Sequence, residues 1–447
     1  MDKTNPSKSG RENAVSFGEA LRVWFKIGCI GFGGPAGQIA LMHRILVDEK
    51  KWVDESRYLH ALNFCMLLPG PEAQKLATYV GWLLHGTRGG LAAGILFVLP
   101  GALVMLGVSL LYVLGRGISV VDGALFGIKA AVLVIVVEAL IRIGRRSLKT
   151  RLLMFLAGAA FIGIFFLDLP FPLIIVAAAA AGFLVARSSP GMIGLKAGEV
   201  GPAVTEPGRW RQTGIVAVIG LALWWAPVVL VVVMLGPGHI FVDIGMFFSK
   251  LAVVSFGGAY ALLAYMAQEA VETYRWMTAP EMVDGLGLAE TLPGPLIKIT
   301  QFVGFLGAYR DAAPFSPIAA GIIGSAMTTW VTFVPPMLLI LAGAPFIEQL
   351  RSNQRLSGAL AAITAAVVGV ILNLTVWFVL HVLFGQVEEM QAGPLRWYAV
   401  DLATLDLKVL ALALFAAVLA FRLHRGLVEI VGIMAALGIA VRMLWGE

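Results

Sequence analysis

The stretch NFCMLLPGPEAQKLATYVGW runs from Asn63 to Trp82, and a near copy, GLAETLPGPLIKITQFVGF, runs from Gly287 to Phe305. Each is an apolar segment interrupted by Pro-Gly-Pro, with a lysine (Lys75, Lys298) a few residues later. Proline removes a backbone donor and collides with the preceding turn, so two prolines around a glycine end one helix and start another. In hydrocarbon the freed N–H and C=O groups need protein partners, and such a break survives only inside protein or along a polar cavity. What the motif means therefore depends on whether the chain lives in lipid.

Composition answers that. The 447 residues are 59% hydrophobic and 13% charged, and mean hydropathy is +0.88. Soluble domains carry about 25% charged residues. Runs such as GALFGIKAAVLVIVVEALI, from Gly123 to Ile141, are long enough to cross a bilayer as helices. The apolar segments do not alternate with period two, which argues against an outer-membrane barrel. The expected class is an all-α polytopic membrane protein. The polar start MDKTNPSKSGREN leads into a long apolar segment with no small-residue cleavage site. We read no removable signal peptide, the first hydrophobic helix serving as an insertion signal.

The net charge of +6 is modest, and the basic residues fall mostly in short loops. That suits membrane orientation and not nucleic-acid binding. Cys29 and Cys65 form no Cys-x-x-Cys pair and read as buried apolar thiols. The six histidines show no metal-ligand spacing, and His-Glu-x-x-His, a P-loop and Gly-x-Ser-x-Gly are missing from the sequence. GFGGPA fits Gly-x-Gly-x-x-Ala but has no strand-turn-helix around it. The expectation is a non-enzyme with no metal and no cofactor.

The two Pro-Gly-Pro segments belong to a duplication. Placing Phe32 over Phe256, a shift of 224, puts Lys26 on Lys250, Gly33-Gly34 on Gly257-Gly258, Trp52 on Trp276 and Pro69-Gly70-Pro71 on Pro293-Gly294-Pro295. One residue fewer, a shift of 223, then puts Lys75 on Lys298 and Gly81 on Gly304. FVLP from Phe97 resembles FVPP from Phe333, and GALFGIKAAV from Gly123 resembles GALAAITAAV from Gly358. The expected organisation is a first repeat over 1–188, a polar linker with one unpaired helix over 189–240, and a second repeat over 241–447. Elements are expected at 15–42, 57–86, 89–115, 120–143, 151–168, 170–188, 213–235, 241–268, 280–308, 315–343, 356–384, 402–421 and 424–444, or 12–13 transmembrane elements. If each crosses once, seven crossings separate the starts of the halves, which then insert in opposite directions as an inverted repeat. If the Pro-Gly-Pro elements re-enter instead, six crossings separate the starts and the halves run parallel. The basic loop Arg142–Arg151 and the linker are expected in the cytoplasm, with the N-terminus inside and the C-terminus outside.

After each break, Pro71 and Pro295 suit the first position of a new helix, where no N–H is required. That N-terminus is polarised positively and favours anions. Lys75 and Lys298 stand about one turn further, opposing the dipole at a cost of about 0.3–1 kcal/mol each. A mid-membrane lysine adds about 3 kcal/mol on insertion scales. Two unfavourable positive features at one place make sense if an anion joins them. A lone Pro-Gly-Pro is more often a hinge than a site, and lone lysines often reach for the interface. Recurrence in both halves favours an anion site built from Gly33, Gly34, Pro69, Gly70, Pro71, Lys75, Gly257, Gly258, Pro293, Gly294, Pro295 and Lys298. A second rank contains Lys26, Lys250, Glu72, Gln74 and Glu290. Glu72 quenches the first site, pairs with Lys75 or carries a proton, and spacing does not choose. Lys26 and Lys250, two turns before their glycine pairs, face the cavity or the interface. Lys129, Glu138, Asn63, Asn373, Thr328 and Thr329 are further polar residues within spans.

FGGPAGQIALMHRILVDEKKWVDESRYLHALNFCMLLPGPEAQKLATYVGW and its second copy, SFGGAYALLAYM followed by LAETLPGPLIKITQFVGFLGAY, resemble the chromate ion transporter family in its long two-domain form. The motif positions are Gly31 to Pro35, Trp52, Pro69 to Pro71, Phe256 to Gly258, Trp276 and Pro293 to Pro295, with Ala259 where the first copy has Pro35. The resemblance implies an inner-membrane protein that exports chromate and confers resistance, with sulfate as a structural mimic. Sulfate or another inorganic anion on the same scaffold is the alternative cargo, and a membrane-embedded oxyanion reductase the remote one. Expected partners are chromate, sulfate, the lipid bilayer and, as a homodimer, a second copy of the chain.

Overall fold

The computed structural model describes residues 15–194, 210–255, 259–343 and 354–445. Among these, seven helices are long and apolar enough to cross a membrane, and the only sheet is one two-stranded hairpin. The chain is an all-α polytopic membrane protein.

The first half opens with α1 (Phe17–Ile30) and α2 (Gly34–His43), the latter continued by a π-helical stretch to Glu49. The long segment expected at 15–42 is thus two helices, parted at Gly33 and Gly34, whose φ of 85° and 65° end α1. Next come α3 (Glu55–Leu67) and α4 (Glu72–Gly115). Within α4, His85 and Gly86 leave helical geometry, so a short arm precedes a long one. α3 has 13 residues, or about 20 Å of helix, too short for a hydrocarbon core of about 30 Å.

Both broken elements fold back like hairpins. Lys50 beyond α2 pairs with Glu19 of α1 at 2.7 Å. His43 of α2 meets Glu55 of α3 at 2.5 Å. His85, at the end of the short arm of α4, lies 2.8 Å from the Val15 carbonyl ahead of α1. The outer ends of all four arms therefore gather at one end of the bundle, and their tips lie inside it.

Four helices follow: the long arm of α4, α5 (Ser119–Ser147), α6 (Arg151–Phe165) and α7 (Phe171–Ser188). The unpaired α8 (Trp210–Leu235) comes next. It is the least covered span, with 17% of its apolar window buried and Val218, Leu230 and Val233 exposed, as lipid contact requires.

The second half repeats the plan with α9 (Ile240–Val254), α10 (Ala259–Gln268), α11 (Ala279–Thr291) and α12 (Ile299–Arg310). Arg310 at the end of α12 holds Glu281 at the start of α11 at 2.7 Å and donates to the Trp276 carbonyl at 2.6 Å. Trp276 stacks on Tyr274, and Phe247 of α9 packs edge-on to it. These arms too are hairpins, but their outer ends share the bundle end of Arg116, which pairs with Glu281 from the end of α4. α13 (Pro317–Gly343), α14 (Gln354–Leu383), α15 (Leu407–Ala417) and α16 (Leu427–Trp445) complete the chain.

Between α14 and α15 stands a hairpin that the sequence pattern does not announce. β1 (Val387–Ala392) pairs antiparallel with β2 (Leu395–Val400), Val387 opposite Val400. Its Arg396 is buried. It binds Asp168 of the α6–α7 turn at 3.0 Å and the Ile164 carbonyl at 3.0 Å, with Glu272 beyond α10 at 3.7 Å. One guanidinium thereby ties the hairpin to both halves.

Candidate functional site

The hairpin tips meet in the middle of the bundle, the one between α9 and α10 being described only as far as Ser255. At the first Pro-Gly-Pro, α3 ends at Leu67, Gly70 takes φ 103°, and α4 starts after Pro71. At the second, α11 ends at Thr291, Gly294 takes φ 97°, and a 3-10 turn, Leu296–Lys298, leads into α12. The positive φ explains the glycine between the prolines, since side-chain-bearing residues avoid that region.

The freed backbone groups are satisfied across the halves. Gly70 N–H donates to the Ser255 carbonyl at 3.0 Å, and Gly294 N–H donates to the Gly31 carbonyl at 2.9 Å. The shift of 224 that carries Gly70 to Gly294 also carries Gly31 to Ser255. The two bonds are thus copies of one interaction, each joining one half's Pro-Gly-Pro to the other half's first break. Two glutamines cross in the same sense. Gln74 Nε2 of α4 donates to the Phe333 carbonyl of α13 at 3.0 Å, and Gln301 Nε2 of α12 donates to the Ala102 carbonyl of α4 at 2.9 Å. The walls follow suit: Pro336 of α13 abuts Gly70, and Gly101 of α4 abuts Pro293 and Gly294.

A cavity of about 20 Å³ lies at this crossing, lined by Pro35, Gln38, Pro71, Glu72, Pro295 and Leu296 among others. It has room for about one water. Three helix starts converge on it: α2 at Pro35, α4 at Glu72 and the turn into α12 at Leu296. First-turn N–H groups lack intrahelical acceptors, and each start carries about half a positive charge. Of the residues singled out in the sequence, Pro71, Glu72 and Pro295 line this space, and Gly70 and Gly294 hold its crossed bonds. Gly33 and Gly34 form the bend just before Pro35. Gly257 and Gly258 lie outside the described residues.

The lysines occupy a different place from the one their spacing suggests. Both Lys75 and Lys298 are 1% exposed. Lys75 Nζ donates back to the Leu68 carbonyl. Lys298 Nζ donates to the carbonyls of Ala289 at 2.8 Å, Leu292 at 3.0 Å and Gly294 at 3.2 Å. Leu68 and Leu292 are equivalent under the shift of 224. Each ammonium thus sits on the carbonyl end of the half-helix before the break, where the macrodipole is negative and a cation is favourable. The dipole conflict expected from the following helix alone is offset by the preceding one.

The second-rank residues separate. Lys26 and Lys250 are exposed and turn away from the crossing, Lys250 lying over the Tyr265 ring at 5.3 Å. Gln74 gives its Nε2 to α13, while its buried Oε1 has no hydrogen-bond partner. Glu290 is buried on α11.

Two features escape a reading of the sequence. Gln38, one turn into α2, is fully buried and lines the cavity. Its Nε2 donates to the Gly31 carbonyl at 3.1 Å, while its Oε1 has no hydrogen-bond partner. A lone glutamine just after Gly-Gly in an apolar segment was the available signal. The second is a water-accessible vestibule of about 320 Å³ at the bundle end of Arg116, lined by Arg116, Asp122, Lys129, Asp284 and Arg442. There Asp284 of α11 accepts from Tyr112 at 2.9 Å and faces Lys129 at 3.5 Å. Lys129, one of the further polar residues within the expected spans, thus has its partner in the other half. Among the described residues, no group of three or more His, Cys, Asp or Glu is placed to hold a metal.

The chromate transporter family model matches residues 18–183 and 242–440. A chromate transport protein of Pseudomonas aeruginosa is 32% identical over 371 residues, 80% of each chain. A probable chromate transport protein of Synechococcus elongatus is 27% identical over 360 residues, covering 80% of this chain and 83% of that one. A chromate transport protein of Cupriavidus metallidurans is 25% identical over 354 residues, covering 79% and 80%. No solved structure matches the chain.

Proposed function

The chain belongs to the chromate transporter family, and on that footing we propose that it is a secondary transporter exporting chromate across the bacterial plasma membrane by alternating access. The observation that carries the site is the convergence of three helix starts on the cavity between the crossed Pro-Gly-Pro loops. Helix N-termini in a low-dielectric setting favour a tetrahedral oxyanion. The cavity of about 20 Å³ takes one water and not four oxygens, so the anion enters only when the hairpin tips part.

The arrangement suits rocking. Five helices lie between the hairpins of the first half and those of the second: four long enough to span, namely the long arm of α4, α5, α7 and α8, and the shorter α6. An odd count turns the second half over, so the two sets of hairpins enter from opposite faces, as in an inverted repeat. Withdrawal of one set would open the crossing to one face while the other set keeps it closed.

The membrane potential supplies a driving force. Moving a dianion through 100 mV is worth about 4.6 kcal/mol, or about a 2,000-fold gradient. An interior-negative potential therefore favours export without ATP. Exchange against a second anion uses the same site without net charge movement, and sulfate is the alternative cargo because its size and charge resemble those of chromate. Uptake of chromate by everted vesicles, with and without sulfate and under an imposed potential, tests the proposal. Saturable uptake that rises with the potential supports it, and uptake equal to that of vesicles lacking the protein refutes it. Counterflow from liposomes preloaded with either anion decides between the cargoes.

A further inference from the structure

An ammonium group has three N–H donors, and those of Lys298 are matched by three backbone carbonyls, of Ala289, Leu292 and Gly294, at 2.8, 3.0 and 3.2 Å. Nothing is left over to bond an anion in the cavity. Lys298 is 1% exposed and therefore cannot reach past the wall it helps to make. Its charge acts on the crossing as a field and not as a contact.

The oxygens around it form a recognisable kind of site. Carbonyls at the end of an interrupted half-helix are the ligands with which broken-helix transporters hold a co-transported cation. Convergent carbonyls at such distances also suit an ion of potassium or ammonium size. Glu290, one residue beyond Ala289 on the same half-helix, is buried. The first half shows the same device in reduced form, with Lys75 Nζ on the Leu68 carbonyl.

We propose that Lys298 is a tethered cation: its ammonium fills a monovalent-cation site built by the carbonyls of Ala289, Leu292 and Gly294, and a free cation takes that site when the side chain is removed. The consequence for transport rests on the reading of the crossing as an anion site. The positive charge that a mobile co-ion would bring is built in, so anion movement needs no free cation at this position.

Lys298→Ala deletes the side chain beyond Cβ, a fragment that n-propylammonium reproduces. The full-length variant is purified and reconstituted, with choline as the control cation because it has no N–H. Chromate flux is expected to fall about tenfold or more, as expected when a buried charge leaves its partners unpaired. It is expected to recover at least several-fold in n-propylammonium and not in choline. In detergent, the melting temperature of the variant is expected to rise with n-propylammonium, whereas the wild type does not respond. The melting readout needs no transport, so it tests the cation site even if the wild type carries no chromate, an outcome that would count against the proposed function alone. Should Lys298→Ala fail to fold, Lys298→Met keeps most of the stem without the charge. It is expected to fold, to lose flux and to ignore added cations. A folded Lys298→Ala that is indifferent to n-propylammonium in both readouts overturns the proposal, as does wild-type flux in Lys298→Met.

Discussion

Gly70→Ala tests the crossing directly. At Gly70 φ is 103°, a conformation that costs a side-chain-bearing residue about 1–3 kcal/mol. The new methyl would also stand 2.7 Å from Pro336 Cβ, well inside a normal carbon–carbon contact of about 3.5–4.0 Å. A proline ring cannot swing aside, so backbone must move, at about 1–3 kcal/mol more. The expected total is about 2–6 kcal/mol. Gly294→Ala shares the strain, with φ 97°, but its nearest neighbour, Gly101 Cα, is 3.1 Å away. Its cost should stay near the strain alone, about 1–3 kcal/mol. Gly107→Ala, in α4 with nothing within 4 Å, is the control and should gain about 0.5–1 kcal/mol from helix propensity. Unfolding of the three variants and the wild type in one detergent should rank Gly107→Ala highest, then wild type, Gly294→Ala and Gly70→Ala. Gly70→Ala unfolding with the wild type, or above Gly294→Ala, would refute the crossed contact of α13 with the first break.

Gln38→Leu keeps the volume of a buried side chain and removes the amide, so chromate flux in liposomes should fall several-fold while the melting temperature changes little; unchanged flux would take Gln38 out of the site. Arg396→Ala strips Asp168, Glu272 and the Ile164 carbonyl of their shared partner and should cost about 3 kcal/mol, read as a lower melting temperature and faster protease cleavage between β1 and β2. Replacing sodium with choline should leave wild-type chromate flux unchanged, because the lysine supplies the charge a co-ion would bring; a sodium requirement would count against the tethered cation.

The broken helices were legible in the sequence because proline has no N–H to give, wherever it sits. The pairing of the halves was legible because Phe-Gly-Gly, tryptophan and Pro-Gly-Pro recur at one shift. What the broken elements do next was not. The segment expected at 57–86 is long enough to cross a bilayer, and only contacts distant in sequence, such as His85 with Val15 and His43 with Glu55, turn it into a hairpin. Lys75 and Lys298 were recognised as unusual, but a cation at a break faces two helix ends of opposite sign. Which end it serves depends on how the chain turns at Gly70 and Gly294, and spacing along the sequence does not contain that. Gln38 was overlooked because an uncharged side chain among glycines carries little signal until a cavity forms beside it.

The magnitudes at the crossing fit a gate. Each inter-half bond, Gly70 to Ser255 and Gly294 to Gly31, is worth about 0.5–1.5 kcal/mol net. Under the proposed export, breaking one to part the hairpin tips would cost less than the roughly 4.6 kcal/mol that 100 mV lends to an exported dianion. Breaking both at once would open the crossing to both faces, and it is opposed by the glutamine bonds of Gln74 and Gln301, which tie the tips to α13 and α4. The lysines do not enter this balance, since each stays with its own half: Lys75 on Leu68, and Lys298 on Ala289, Leu292 and Gly294. In the alternating-access transport proposed above, each half would carry its lysine along as it moves, and an anion held between the halves would keep a counter-charge on whichever side had opened.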